Sequence, residues 1–166
     1  MFPLHISAAA LAVNRSLIER GLMIVTAESC TGGLIAGALT SIPGSSDAVF
    51  GGYITYSNAA KAAMIGVDPE LIDRHGAVSE AVARAMAEGA RRTSGTDVAV
   101  AVTGVAGPGG GTAMKPVGLV HFAFADGART VHVERRFGDI GRDDVRMASV
   151  RTALELVLDG LGAERP

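Results

Sequence analysis

The sequence predicts a three-layer α/β/α sandwich around a mixed, mostly parallel sheet of about five strands. Three observations carry that prediction. Five short runs are rich in β-formers, helical patterns alternate with the first three of them, and Asp126-Gly127 separates the last two. Alternating strands and helices build a parallel sheet covered on both faces, and a terminal hairpin makes such a sheet mixed. The 166 residues, 48% hydrophobic and 19% charged, suit one domain over 1–166, with no internal repeat and no dividing linker.

The elements follow in order. Ile6, Ala10, Val13 and Leu17 recur at helical spacing before Gly21, a natural residue just past a helix end. LMIVTA (22–27) reads as a buried strand, and LIAGALTSI (34–42) as a small-residue helix stopped by Pro43-Gly44. GGYITYS (51–57) is a second strand running into NAAKAAMIG, with Asn58 expected as the helix N-cap. Residues 68–78 read as a connector with one helical turn. Ser79 should cap a helix to about Thr93, with Val78, Val82, Ala85 and Gly89 on one side. DVAVAVTG (97–104) is apolar enough for a central strand, and a glycine-rich loop follows to about Pro116. VGLVHFAFA and TVHVERRF flank the hairpin turn, and Val131 and Val133 alternate with His132 and Glu134 as in a half-exposed edge strand. A last helix from about Arg142 turns Val150, Leu154, Val157 and Leu158 inward.

Composition excludes several classes. A net charge of −2 gives no general attraction for nucleic acid or anionic membrane, so a bound phosphate needs a local site. The stretch 29–46 is too polar and glycine-broken to span a bilayer, and the N-terminus lacks the basic start of a signal peptide. Cys30 is the single cysteine, which fits a reducing cytoplasm. His5, His75, His121 and His132 lack metal-ligand spacing, and neither metal nor cofactor is expected.

Three segments share one design: TAESCTGG, ITYSNAAK and AVTGVAGPGGG each place polar and small residues after an apolar strand. In an open α/β sheet ligands bind beyond the carboxyl ends of the strands, so parallel strands bring these segments together. Ser29 lies at a strand-to-helix junction, and the amides of Cys30, Thr31, Gly32 and Gly33 begin the next helix, where free donors hold a phosphate or an oxyanion. The plainer reading is that Ser29 or Thr31 caps that helix. Lys61 falls in the first turn of its helix, where the dipole opposes a cation and lowers the pKa; a neutral amine can then take the proton of a serine. A solvated surface lysine is the alternative, although only Lys61 and Lys115 of 15 basic residues are lysine. Tyr56 either relays a proton or packs on its strand. The glycines at 104–111 let backbone amides approach an anion, or simply form a flexible connection; the loop is neither a Walker A nor a dinucleotide fingerprint. Arg142 and Arg146, one turn apart, can pair with a phosphate or form a solvated face. Cys30 is a rival nucleophile or a buried structural thiol.

At TAESCTGG (26–33), YSNAAKAAMIGV (56–67), HGAVSE (75–80), TGVAGPGGG (103–111) and KPVG (115–118) the sequence resembles the CinA C-terminal family, in matching order over about 22–151. The resemblance implies an α/β/α fold with a five-stranded mixed sheet. It also implies deamidation of nicotinamide mononucleotide to nicotinate mononucleotide and ammonia, without a cofactor. Ser29 would be the nucleophile, Lys61 its base and Tyr56 an aid to proton transfer. Thr31, Gly32, Gly33, Asn58, Thr103, Gly104, Gly107, Gly109, Gly110 and Arg142 would bind substrate. The family's Phe-x-GDR is spaced differently here, as FGDIGR, so Arg142 and Arg146 both stand as candidates. The chain is expected to act as a free-standing deamidase, without the large N-terminal domain of longer family members.

The partner expected is a small nucleotide, with neither nucleic acid nor membrane. A homodimer is suggested by the small size and small-residue helices. The rival readings are a non-catalytic nucleotide-binding module linked to competence or regulation, and a purely structural domain, which leaves Lys61 and three polar strand ends unexplained.

Overall fold

The computed structural model describes residues 2–166. Its sheet has five strands in the order β2-β1-β3-β4-β5: β1 Ile24–Glu28, β2 Val49–Ile54, β3 Val98–Gly104, β4 Leu119–Ala125 and β5 Thr130–Arg136. β1 runs parallel to both β2 and β3, whereas β4 is antiparallel to β3 and to β5. Four strands therefore share one direction, and the hairpin through Asp126-Gly127 reverses only β4. Asp126 Oδ1 closes that turn by accepting from the amides of Ala128 and Arg129.

Two helical layers cover the sheet. On one face α1 (Leu4–Arg20), α2 (Leu34–Thr40) and α6 (Arg142–Leu161) pack on Val98, Val100, Val102, Phe122 and Phe124. The predicted inward residues of α1 and α6 are all fully buried there. On the other face lie α3 (Asn58–Ile65), α4 (Pro69–His75) and α5 (Glu80–Ser94). The strands present alanines to them, at 99, 101, 123 and 125. Small residues let α5 sit close to the sheet, and Gly89 extends that closeness to α3: a Cβ there would stand 2.1 Å from the Ile65 carbonyl oxygen. Among the described residues no helix is long and apolar enough to cross a membrane.

Several boundaries correct the sequence reading. The second strand ends at Ile54, not at 57. Ser57 is the N-cap of α3, its Oγ accepting from Ala60 N–H, so Asn58 is the first helical residue and Lys61 the fourth. The segment 68–78 contains a helix of 7 residues, capped by Asp68 with Pro69 in its first turn. The buried stripe of α5 runs through Val82, Ala83, Met86, Ala87 and Ala90, and Ala85 is only partly buried.

Candidate active site

The parallel register brings the carboxyl ends of β1, β2 and β3 to one edge of the sheet, and the chain leaves β1 and β2 toward opposite faces. A cleft of about 300 Å³ opens there, lined by Ser29, Cys30, Tyr56, Val78, the loop 104–110 and Arg142. Gly104, Gly107, Gly109 and Gly110 all line it.

Ser29 is fixed by its own backbone, whose N–H donates to the Val102 carbonyl at 3.0 Å. Lys61 reaches it from α3 on the neighbouring strand's connection. Lys61 Nζ stands 3.1 Å from Ser29 Oγ and 2.8 Å from the Thr55 carbonyl oxygen, and the lysine is 1% exposed. Burial pushes its pKa below the ordinary 10.5. A neutral amine in this position donates to Thr55 and accepts the Ser29 hydroxyl proton, which is the arrangement a general base requires. Burial acts the other way on the adjacent thiol and pushes Cys30 up to about 12. A thiol with that pKa carries almost no thiolate near neutrality, so Cys30 is the poorer nucleophile.

The turn carrying Ser29 is held from two sides. Behind it, Glu28 is completely buried. Its carboxylate accepts from Gly33, Ile35 and Ala36 N–H at 3.0, 3.0 and 2.8 Å, and from the Thr26 hydroxyl at 3.1 Å. Glu28 thus satisfies the start of α2, which has no side-chain cap of its own. This corrects the expectation for that helix terminus. Gly33 N–H is bound to Glu28, Gly32 N–H donates to Ser29 O, and neither Ser29 nor Thr31 is the cap. Beyond the turn, Arg146 on α6 donates from Nε to Cys30 O at 3.2 Å and from Nη2 to Thr31 O at 3.0 Å. In a trans peptide the N–H points opposite to the carbonyl, so gripping Cys30 O aims Thr31 N–H away from Arg146. Among the described residues Cys30 and Thr31 N–H have no oxygen acceptor. They follow Ser29 directly in the chain.

Arg142 and Arg146 have separate positions. Arg142 lines the cleft, donating to Gly107 O at 2.8 Å and to Tyr56 Oη at 3.0 Å. Its guanidinium joins the glycine loop to the tyrosine, whereas Arg146 holds the carbonyls of the serine turn. Thr103 is buried beneath the cleft with its hydroxyl committed to Ala77 O at 2.8 Å. Thr31 is also buried, its Oγ1 without a partner among the described residues. Asn58 is exposed at the start of α3 and does not line the cleft. Lys115 ties the glycine loop to α4 by donating to His75 O at 2.7 Å.

Comparison with known proteins gives a consistent result. The sequence model of the CinA C-terminal domain matches residues 6–161. A CinA-like protein of Synechococcus sp. (strain RCC307) is 55% identical over 149 residues, which is 89% of this chain and 36% of that protein. The chain therefore spans about a third of the length of such relatives. Among solved structures, the competence/damage inducible protein CihA from Agrobacterium tumefaciens superposes with a TM-score of 0.94 at 53% identity, covering 98% of each chain. The competence damage-inducible protein A from Klebsiella pneumoniae subsp. pneumoniae MGH 78578 follows with a TM-score of 0.91 at 35% identity, over 95% of this chain and 98% of that one.

Proposed function

The chain belongs to the CinA C-terminal domain family, and we propose that it is a cytoplasmic amidohydrolase that deamidates nicotinamide mononucleotide through Ser29 and Lys61. The observation that carries this reading is the buried Lys61 amine 3.1 Å from Ser29 Oγ. The pyridine nucleotide itself comes from the family resemblance; the geometry supports acyl transfer beside an anion-binding loop.

In this account the Ser29 hydroxyl proton passes to Lys61 Nζ as Oγ bonds to the carboxamide carbon. The negative charge that develops on the carboxamide oxygen is met by Cys30 and Thr31 N–H, two donors already fixed in place. Lys61 returns the proton to the departing nitrogen as the C–N bond breaks, releasing ammonia and leaving an ester on Ser29. Water then attacks that ester, with Lys61 taking its proton and passing it to Ser29 Oγ as the ester C–O bond breaks, and nicotinate mononucleotide leaves with the free serine and neutral amine restored. Arg142 and the amides of Gly107, Gly109 and Gly110 hold the nucleotide phosphate, and Tyr56, oriented by Arg142, closes one side of the cleft. Glu28 already occupies the start of α2, so the phosphate is assigned to the glycine loop.

The test is product formation. EDTA-treated protein incubated with nicotinamide mononucleotide should release ammonia and nicotinate mononucleotide in equal amounts. A folded protein that binds the nucleotide without releasing ammonia would instead be the binding module.

A further inference from the structure

A second concave site lies at the opposite end of the sheet. The carboxyl end of β4, the hairpin turn and the second half of α5 enclose a cavity of about 650 Å³, roughly twice the cleft beside Ser29. Four arginines line it, Arg84, Arg91, Arg92 and Arg129, together with the acid Glu88. In a chain whose net charge is −2, this is a concentrated positive region. Part of it has a plain structural explanation, since Arg91 and Arg92 stand in the last turn of α5, where cations suit the helix dipole.

That explanation does not cover how the guanidiniums are held. Arg84 donates to Thr130 O, Arg91 to Asp97 O and Arg129 to Gly160 O. Each is thus anchored on a backbone carbonyl, which orients the fork without neutralising it. Arg91 lies across Gly127, where a Cβ would come within 2.4 Å of Nη2, so the missing side chain admits the guanidinium to the cavity wall. The carboxylates that pair with Arg84 and Arg129, Glu80 and Asp126, do not line the cavity. Glu88, which does, accepts from the Thr130 hydroxyl at 2.7 Å. Arg92 has no hydrogen-bond or ion-pair partner among the described residues and is exposed. Arg91 and Arg92 bring charge with no carboxylate partner among the described residues, Arg84 and Arg129 add charge only partly offset by Glu80 and Asp126, and an anion with several charges meets this surplus through paired N–H donors.

We infer that this cavity binds a small polyanion carrying two or more adjacent phosphoryl groups, at a site separate from the Ser29 cleft. Its volume is that of a small-molecule pocket.

The experiment is calorimetric titration of the full chain with inorganic tripolyphosphate, and with sulfate at matched ionic strength. Tripolyphosphate should bind at least about tenfold tighter than sulfate. Arg92→Glu and, separately, Arg129→Glu should each weaken it about tenfold or more, while Arg15→Glu, at an exposed position of α1 that lines neither site, leaves it unchanged. Absence of binding, equal affinity for sulfate, or undiminished affinity in both Arg92→Glu and Arg129→Glu would overturn the proposal. None of these readouts depends on deamidase turnover, so either reading can fail while the other stands.

Discussion

Lys61 Nζ and Ser29 Oγ stand 3.1 Å apart although 32 positions separate them in the chain. The lysine is buried with the Thr55 carbonyl and the serine as its hydrogen-bond partners, and among the described residues no carboxylate pairs with it. A lysine so placed is held toward its neutral form, and the predictions below start from that.

The rate of amide hydrolysis should rise with pH through an apparent pKa below 10.5 and then level off, because the active form is the free amine and burial favours it. Lys61→Arg should be as inactive as Lys61→Ala, each slower by about 10²-fold or more, since a guanidinium does not give up its proton. A pH–rate profile of wild type beside both variants checks this. Retained activity in Lys61→Arg would contradict the base role.

The same burial opposes folding at neutral pH. The unfolded chain binds the lysine proton more tightly, so stability should increase as pH rises toward 10.5. Lys61→Met should be inactive yet more stable near neutrality, by ~1 kcal/mol or about 2–4 °C in Tm. Thermal melts at several pH values measure it, and the gain should shrink as pH rises.

Glu28→Gln keeps the shape of the side chain but removes the charge that three α2 amides and the Thr26 hydroxyl address. One carboxylate oxygen becomes a donor facing donors. A loss of about 2–3 kcal/mol is expected, read from urea unfolding.

Arg142 and Arg146 should separate kinetically. Arg142→Ala removes a group that faces the cleft, and KM for the nucleotide should rise about tenfold or more. Arg146→Ala releases the carbonyls of Cys30 and Thr31, so kcat should fall with KM little changed. Arg146→Lys, with one donor group in place of a fork, should recover only part of it. Similar KM effects in both variants would contradict the division.

On the α5 face, His121 Nδ1 and His132 Nε2 share a hydrogen bond of 3.0 Å, with Glu134 and Glu80 near their outer nitrogens. Their ring centroids are 5.2 Å apart and their planes 24° apart, so the rings meet end to end. Burial holds both below 6.5, against the pull of the glutamates; Lys115 and the partner imidazole also disfavour charge on His121, as Arg84 does on His132. The unfolded chain then binds more protons as pH falls below 6.5, and stability is lost in that window. His132→Gln should flatten the fall in Tm between about pH 7 and pH 5.

Much of the site was legible because parallel strands make it so. Three apolar runs ending in polar and glycine-rich segments had to meet if their strands ran together, and Ser29, Tyr56, the glycines and Arg142 do line one cleft. What escaped notice depends on how the chain folds back. Glu28 at a strand end carries no local signal of its role; only the return of α2 over β1 makes it a cap. Ser57 and Asn58 are both good caps, and local sequence does not separate them. The Asp68-Pro69 start of α4 was a readable signal, weakened by the shortness of the helix. Arg142 and Arg146 differ only by one helical turn, and only the folded chain shows that the first meets the glycine loop while the second meets the turn after Ser29.

The most direct measurement is ammonia release from nicotinamide mononucleotide by wild type, Ser29→Ala, Lys61→Ala and Cys30→Ala, with folding verified for each by circular dichroism. The Ser29–Lys61 account predicts steady turnover in wild type and Cys30→Ala, and a loss of about 10³-fold or more in the other two. Undiminished turnover in folded Ser29→Ala, or loss confined to Cys30→Ala, would contradict it.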